Sequence, residues 1–281
     1  MTHPLVEQLG HADPKVRRAA CRAAAEDPAG VILAEALAAA LGDPVKAVGR
    51  AASDALVALA RRAESGAAAT WEDLRGALRR ALHSEHRARR WRAAFTWARL
   101  EAPTPRLLPA LVEALASRDG DVRWAATRVI VEMGHRHGEV LPVLIGLVRS
   151  DESPVVRRMA SFALRELAPD REEAADVLLE ATLDPDLQVR RAALTAMASL
   201  LGPPTRVGER LLAALREDED GAARRLAALA LGEIGARHPE ALPGEAAALL
   251  ERARNEAPND RNLRRSIDRA LARLAAGQPG S

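Results

Sequence analysis

Tyrosine is absent from the 281 residues, cysteine occurs once, lysine only at Lys15 and Lys46, and aromatic side chains make up 2 % of the chain. Each scarcity removes a class of function. The single cysteine, Cys21, excludes an internal disulfide and any thiolate cluster, and its place in the alanine-rich run CRAAAE marks it as a packed structural thiol. So few aromatics leave little for base stacking or a cofactor cage, which sets the four tryptophans apart. The best apolar run, VILAEALAAAL from Val31, is broken by Glu35 and falls short of the roughly 20 residues of a membrane span. No charged stretch followed by an apolar one opens the sequence MTHPLVEQLG, so no secretory leader is read there. A soluble, cytoplasmic chain without a membrane partner is expected. Lys+Arg number 41 against Asp+Glu 39, a net charge of +2, too balanced to name nucleic acid as the partner.

What is present is a repeat. An acid, a short turn, a small apolar residue and an Arg pair recur as DPKVRRAA from Asp13, DGDVRWAA from Asp119, SPVVRRMA from Ser153, DLQVRRAA from Asp186, DGAARRLA from Asp220 and DRNLRRSI from Asp260. Looser copies begin at Pro44 and His86. Anchored on the residue before the Arg pair, the series reads Val16, Val48, Arg90, Val122, Val156, Val189, Ala223 and Leu263. Beyond each anchor, apolar residues follow at offsets of three, four, seven, eight and eleven, one face of an α-helix; in the third copy this places Ala93, Ala94, Trp97 and Ala98 inside. Gly134, Gly202 and Gly235 stand where left-handed caps would close these helices. A second amphipathic stretch precedes each block, for example LLPALVEALAS from Leu107 and VLPVLIGLVRS from Val140. Neither helix of such a hairpin buries its apolar face alone, so the hairpins must stack. Thr70 reads as the N-cap of a helix from Trp71, leaving Arg61 to Ala69 as a loop. Residues 1–281 are expected to form a single array of about eight hairpins, with 277–281 as a disordered tail.

The hairpin length, the acidic turn and the VRRAA opening resemble HEAT repeats over essentially the whole chain. The resemblance implies an all-α, right-handed α-solenoid whose second helices line a concave surface. It also implies a ladder between neighbouring repeats, carried here by Arg17, Arg123, Arg157, Arg190, Arg224 and Arg264 with acids near Asp13, Asp121, Glu152, Asp186 and Asp220. Gly49 and Trp91 depart from that pattern, so the ladder is expected to lapse in the second and third units. Physically the ladder makes sense, because an Arg in the first turn faces the positive helix end and needs a carboxylate.

The second Arg of each pair points off the packed stripe. That column reads Arg18, Arg50, Arg92, Trp124, Arg158, Arg191, Arg225 and Arg265, with Arg128, Phe162 and Arg165 beside it. Two readings compete: a basic stripe that meets a partner, or arginines that snorkel over their neighbours and pair with acids such as Glu132, Glu166 and Glu233. The only aromatic concentration, Trp91, Trp97, Trp124 and Phe162, lies along the same helices; Trp97 falls on the stripe, the others beside it.

Catalytic constellations are missing. The close His pairs, His83 with His86 and His135 with His137, lack a third ligand, so no metal site is assigned. No HExxH, GxGxxG, GxxxxGK[ST] or GxSxG occurs, and the His-Glu pairs of the deoxyhypusine hydroxylase branch of HEAT proteins are absent. No cofactor is expected. The stretch VVRRMASFALRELA from Val155 is similar to a repeat of the bacterial DNA alkylation-repair glycosylases, with Phe162 at the aromatic wall, although Trp124 stands where that family places an Arg. HEAT-like phycobilin lyases share the repeated block as well. The expectation is a non-enzymatic scaffold holding a protein partner, an acidic segment, against the Arg column; the alternative is a nucleic-acid binder related to the glycosylases.

Overall fold

The 3.6-residue pattern is realised as sixteen α-helices among the described residues, which in the computed structural model are 3–27, 30–63, 68–199 and 207–277. No strand occurs among them. The chain divides into two compact units, Met1–Met133 and Gly134–Ser281. The first holds the hairpins α1 (Pro4–Leu9) with α2 (Pro14–Glu26), α3 (Ala34–Ala40) with α4 (Lys46–Ala63), α5 (Ala68–Leu82) with α6 (Arg87–Ala98), and α7 (Leu108–Leu115) with α8 (Gly120–Gly134). The second holds α9 (Val140–Ser150) with α10 (Pro154–Leu167), α11 (Glu172–Ala181) with α12 (Leu187–Met197), α13 (Val207–Glu217) with α14 (Gly221–Arg237), and α15 (Ala246–Glu256) with α16 (Arg261–Gly277). Residues 278–281, most of the expected tail, lie outside the described residues.

Within each unit, second helices pack on second helices: α2 on α4 and α4 on α6, then α10 on α12, α12 on α14 and α14 on α16. The core of the first unit runs from Leu9 to Ala93 through Leu37, Leu41, Leu56 and Leu78, with Trp71 and Trp97 packed against it. Trp97 therefore belongs to the core, as its place on the stripe predicts. Cys21 is fully buried. Burial, followed by the nearby charge of Asp43, pushes its thiol up to about 11, which suppresses the thiolate.

Two local expectations are corrected. The helix around Thr70 starts earlier, at Ala68, and α4 runs on to Ala63; only residues 64–67 of the expected loop lie outside the described residues. No described glycine has a positive φ, so Gly134 and Gly235 are not left-handed caps; Gly202 lies outside the described residues. They are contact points instead. A Cβ on Gly134 would strike Leu167, also in the second unit, and one on Gly235 would strike Leu274 and Leu242. Close approach of a neighbour, rather than backbone handedness, calls for glycine at these two helical positions.

The ladder exists, with different carboxylates from those expected. Arg17, Arg157 and Arg190 sit four residues past the residue that caps the second helix, Asp13, Ser153 and Asp186. Each donates one Nη1 to carbonyls of its own turn: His11 and Ala12, Asp151 and Glu152, Asp184 and Pro185. Each then reaches the next hairpin with Nε and Nη2, onto Asp43, Asp184 and Asp218 respectively. That acid also accepts the N–H of Val45, Asp186 or Asp220 two residues on. Asp13, Asp186 and Asp220 are helix caps, accepting from Lys15, from Gln188 and Val189, and from Ala223. Asp121 pairs with Lys46, and Glu152 contributes only its carbonyl. Repeat geometry alone does not separate a capping acid from a bridging acid two residues earlier. Where that earlier acid is missing, the rung changes: Arg224 donates to the Leu215 carbonyl, and the equivalent position in the turn of the next hairpin is Pro258.

The third hairpin corrects the register. His86 precedes α6 at the cap position, so the residue four beyond it is Arg90, which donates to the Ser84 and Glu85 carbonyls and pairs with Glu113 through Nε and Nη2. Arg90 is thus a rung, the anchor is Arg89, and the rung is not lost in this unit. In the second hairpin Gly49 does remove it, and Arg92 replaces it from the opposite side. Its Nη1 donates to the carbonyls of Leu41 and Asp43 at 2.6 and 2.8 Å. A Cβ on Gly49 would sit 2.6 Å from that nitrogen.

Asp220 combines cap and pair. The hydrogen bonds from Arg191 Nε and Nη2, at 2.9 and 2.7 Å, with its backbone partners and the Arg191 charge, outweigh burial and hold its carboxyl at about 2. A carboxylate acidified by folding stabilises the fold above its ordinary pKa of 3.8, and the contribution is lost as the pH falls toward 2. Asp220→Asn keeps a capping side chain and removes only the charge pair. It should lower stability by about 1–2 kcal/mol at pH 7, allowing for partial solvent screening, and by almost nothing near pH 2. Thermal melts across that range check this; an equal deficit at both ends would assign the effect to the cap.

Candidate functional site

With the third anchor moved to Arg89, the fifth residue of each second helix reads Arg18, Arg50, Trp91 and Trp124 in the first unit. Arg92 leaves the column. It is half-buried, its guanidinium lies 4.8 Å from the Trp91 ring centre, and burial pulls its pKa down against the opposing charge of Asp43. Trp91 also meets Phe95 edge-on at 5.3 Å. Trp124 is the one exposed tryptophan among the described residues, with 45 % of its surface open.

Arg18 and Arg50 line a groove of about 780 Å³ between α2 and α4. Alanines form its floor, Ala47, Ala51, Ala55 and Ala58 among them. Arg22 joins the wall one helical turn after Arg18, and Asp121 of α8 reaches the same groove. Among the described residues Arg18, Arg22 and Arg50 make no ion pair and no side-chain hydrogen bond, and neither does Glu26 on the same wall, whereas Lys46, Asp54 and Asp121 beside them are paired. Lys46 spans from α4 to α8, its Nζ 2.5 Å from Asp119 and 3.2 Å from Asp121; these bonds raise its pKa and lower that of Asp119. Asp54 pairs with Arg99 at 2.8 Å. Three guanidinium groups with unspent donors over a small-residue floor can take a carboxylate or a phosphate.

Arg128 is exposed on α8. In the second unit, Arg158 is half-buried, with a buried Nε that has no partner. Phe162 lies half-buried under the Arg165 guanidinium at 5.6 Å, and Arg165 pairs with Glu166, the snorkelling arrangement. Arg191 is occupied by Asp220. Arg225 is half-buried and Arg265 exposed, neither with an ion pair among the described residues. Of the column, then, Arg92 and Arg191 are structural and Arg18 with Arg50 share a groove. Lys46 and Asp54 were not marked by the repeat pattern, because they sit at the turn and one helical turn away from the Arg column; Asp121 was marked, but as a ladder acid. Counting from the capping residue instead of the apolar anchor would have put Trp91 in the column. No group of three or more metal-ligating side chains occurs among the described residues, and no described helix is long and apolar enough to cross a membrane.

Stacked helical hairpins tied by arginine–aspartate rungs define an all-α solenoid. Residues 74–165 and 108–198 match the sequence model of HEAT repeats, so this stretch is built of HEAT repeats. Its fold is shared by importin beta (18 % identity, TM-score 0.63, covering 99 % of this chain and 41 % of that one) and by Kap95p (16 %, 0.63, 96 % and 39 %). YibA of E. coli, a chain of similar length, is also similar (19 %, 0.57, 96 % and 91 %). The chain thus spans about two fifths of the two larger proteins, and at these identities the likeness is one of fold. No curated protein matches the sequence.

Proposed function

We propose that the chain is a non-enzymatic scaffold that binds an acidic protein segment in the groove between α2 and α4. The observation that carries this is the set of uncommitted guanidinium groups of Arg18, Arg22 and Arg50 on one alanine-floored groove. A guanidinium left without a carboxylate is available to a partner's Asp or Glu. The groove wall also carries Glu26, Asp54 and Asp121. A phosphate backbone presents negative charge at every step and would meet these acids; a peptide presents charge only at chosen positions. A fold relative, Kap95p, binds RanGDP, so the architecture accommodates protein partners.

The test is fluorescence anisotropy with a labelled hexaglutamate peptide and, in parallel, a labelled 20-base-pair DNA duplex. Peptide binding that falls at least tenfold in the triple reversal R18E/R22E/R50E, with unchanged circular dichroism, supports the reading. Duplex binding that drops steeply and linearly in log salt, with no peptide binding, would replace it with nucleic-acid recognition.

The Lys46 pairs offer a finer check. Asp119 and Asp121 occupy a cation beside the groove, so an acidic peptide competes with the chain's own carboxylates. Asp119→Asn with Asp121→Ala should tighten peptide binding about two- to fivefold, the range of an exposed ion pair. Isothermal titration at low ionic strength reads this difference, and it should fade in high salt.

A further inference from the structure

We infer that a second pocket, lined by α1, α3 and Arg89 of α6, takes a monocarboxylate with a short aliphatic group, and that Arg89 receives the carboxylate. Three residues past the cap of the second helix, seven of the eight hairpins carry Val, Leu or Ala, and six of those seven are buried, Val48 and Leu263 completely. In the third hairpin that position is Arg89. It is half-buried, and its Nε is shut off from water without a hydrogen-bond partner. Nothing among the described residues pairs with the rest of its guanidinium either. Its neighbours on α6 are all engaged: Arg87 and Arg90 with Glu113, and Arg92 with the carbonyls of Leu41 and Asp43. Buried donors are almost always paired, and one left unpaired at a position built for an aliphatic side chain costs stability. An anion from outside the chain would complete it.

Arg89 lines a pocket of about 400 Å³ whose walls include Val6 and Leu9 of α1 and Ala36, Ala39 and Ala40 of α3. Gly42, in the turn after α3, lets the arginine in: a Cβ there would stand 3.2 Å from Arg89 Nε. The one acid on the wall, Asp43, has its oxygens taken by Arg17 Nε and Nη2 and by the Val45 N–H. A lone unpaired cation among small aliphatic residues matches a single negative charge on an apolar body, and a carboxylate fits the planar fork of a guanidinium. A phosphate would bring further charge with no second cation to meet it. A purely apolar guest would cover the guanidinium without pairing it. The volume is at the small end of ligand sites, so the apolar part is short, about the size of a leucine side chain. The same chemistry is offered by a free branched-chain acid and by the end of a protein chain. The pocket shares no lining residue with the groove between α2 and α4, so the two sites stand or fall separately.

Isothermal titration of the intact chain with isocaproate, with its neutral amide and with an acetylated Gly-Gly-Leu peptide tests the inference. At least one of the two acids should bind, and the amide should bind roughly tenfold more weakly or not at all. Peptide binding without isocaproate binding makes a chain end the source, and equal binding of both makes the free acid sufficient; either result supports the site. Arg89→Leu restores the aliphatic side chain of the other hairpins. It should abolish binding and raise the melting temperature by about 2–4 °C. Ala39→Trp, at an exposed position on the wall, should abolish binding with Arg89 in place, and R18E/R22E/R50E should leave it unchanged. No binding of either acid, binding that survives Arg89→Leu or Ala39→Trp, an amide as tight as its acid, or loss of binding in R18E/R22E/R50E would overturn the site. So would a melting temperature that fails to rise in Arg89→Leu, which would make the arginine a structural group. None of these results touches the acidic-segment function of the other groove.

Discussion

Gly232→Leu will destabilise the second unit by about 3 kcal/mol or more, and even Gly232→Ala will cost about 1–3 kcal/mol. The alanine result runs against intrinsic preference, since Gly to Ala inside a helix ordinarily gains close to 1 kcal/mol. Gly232 lies mid-helix in α14, and a Cβ there would stand 2.6 Å from the Cα of Ala270 on α16 and 3.0 Å from its Cβ. Both obstacles are attached to backbone or are backbone, so neither helix yields without separating the pair. Gly146 on α9 is the matched control, because nothing lies within 4 Å of a Cβ there. Gly146→Ala should raise stability by about 0.5–1 kcal/mol. Urea denaturation of the three variants measures the contrast; equal signs for Gly146→Ala and Gly232→Ala would show that α14 and α16 do not meet so closely.

Asp184→Ala should cost about 2–3 kcal/mol. The carboxylate receives Arg157 Nε and Nη2 at 2.7 and 2.8 Å and the Asp186 N–H at 2.8 Å, and both side chains are largely buried, 13 % and 8 % exposed. Its removal leaves a guanidinium with only turn carbonyls and frees a turn from its own staple. The loss is placed below the 3–5 kcal/mol of a fully buried broken pair because Asp151 O still accepts from Arg157. Adding Arg157→Leu should recover part of the deficit, since much of the cost is the orphaned charge rather than the missing attraction. A double-mutant cycle followed by thermal melts reads the coupling. Strict additivity would mean the rung does not join the hairpins.

Eight hairpins, their order and the rungs of Arg17, Arg157 and Arg190 could be read from the sequence because helix periodicity and the Arg block report the same surface twice; Arg123, also expected as a rung, reaches only the Ser117 carbonyl of its own turn among the described residues. The third register could not. HRARRWRAA offers Arg at four of its positions, so the apolar stripe has no clear edge; Arg89 and Arg92 lie where a valine and a methionine stand in α10. Helix-ending glycines were also ambiguous, because a glycine required by a neighbour's side chain and one required by φ look alike in sequence. Arg18 and Arg50 were marked as groove candidates by their offset, but nothing local separates them from Arg191, whose partner lies a full hairpin away at Asp220. Which arginine is spent depends on that distant acid.

Gly49 and Arg92 bear on how such an array can be rebuilt. Repeats are often treated as interchangeable parts, yet here one hairpin lacks the cation that would satisfy its turn and the following hairpin supplies it backward through the space a side chain would fill. Grafting the second hairpin elsewhere would leave the carbonyls of Leu41 and Asp43 without that donor, and replacing it with a consensus copy bearing Arg at position 49 would press two guanidinium groups together. The smallest portable module in this region is therefore a pair of hairpins, and shuffling or consensus design should cut on either side of residues 34–98, never between them.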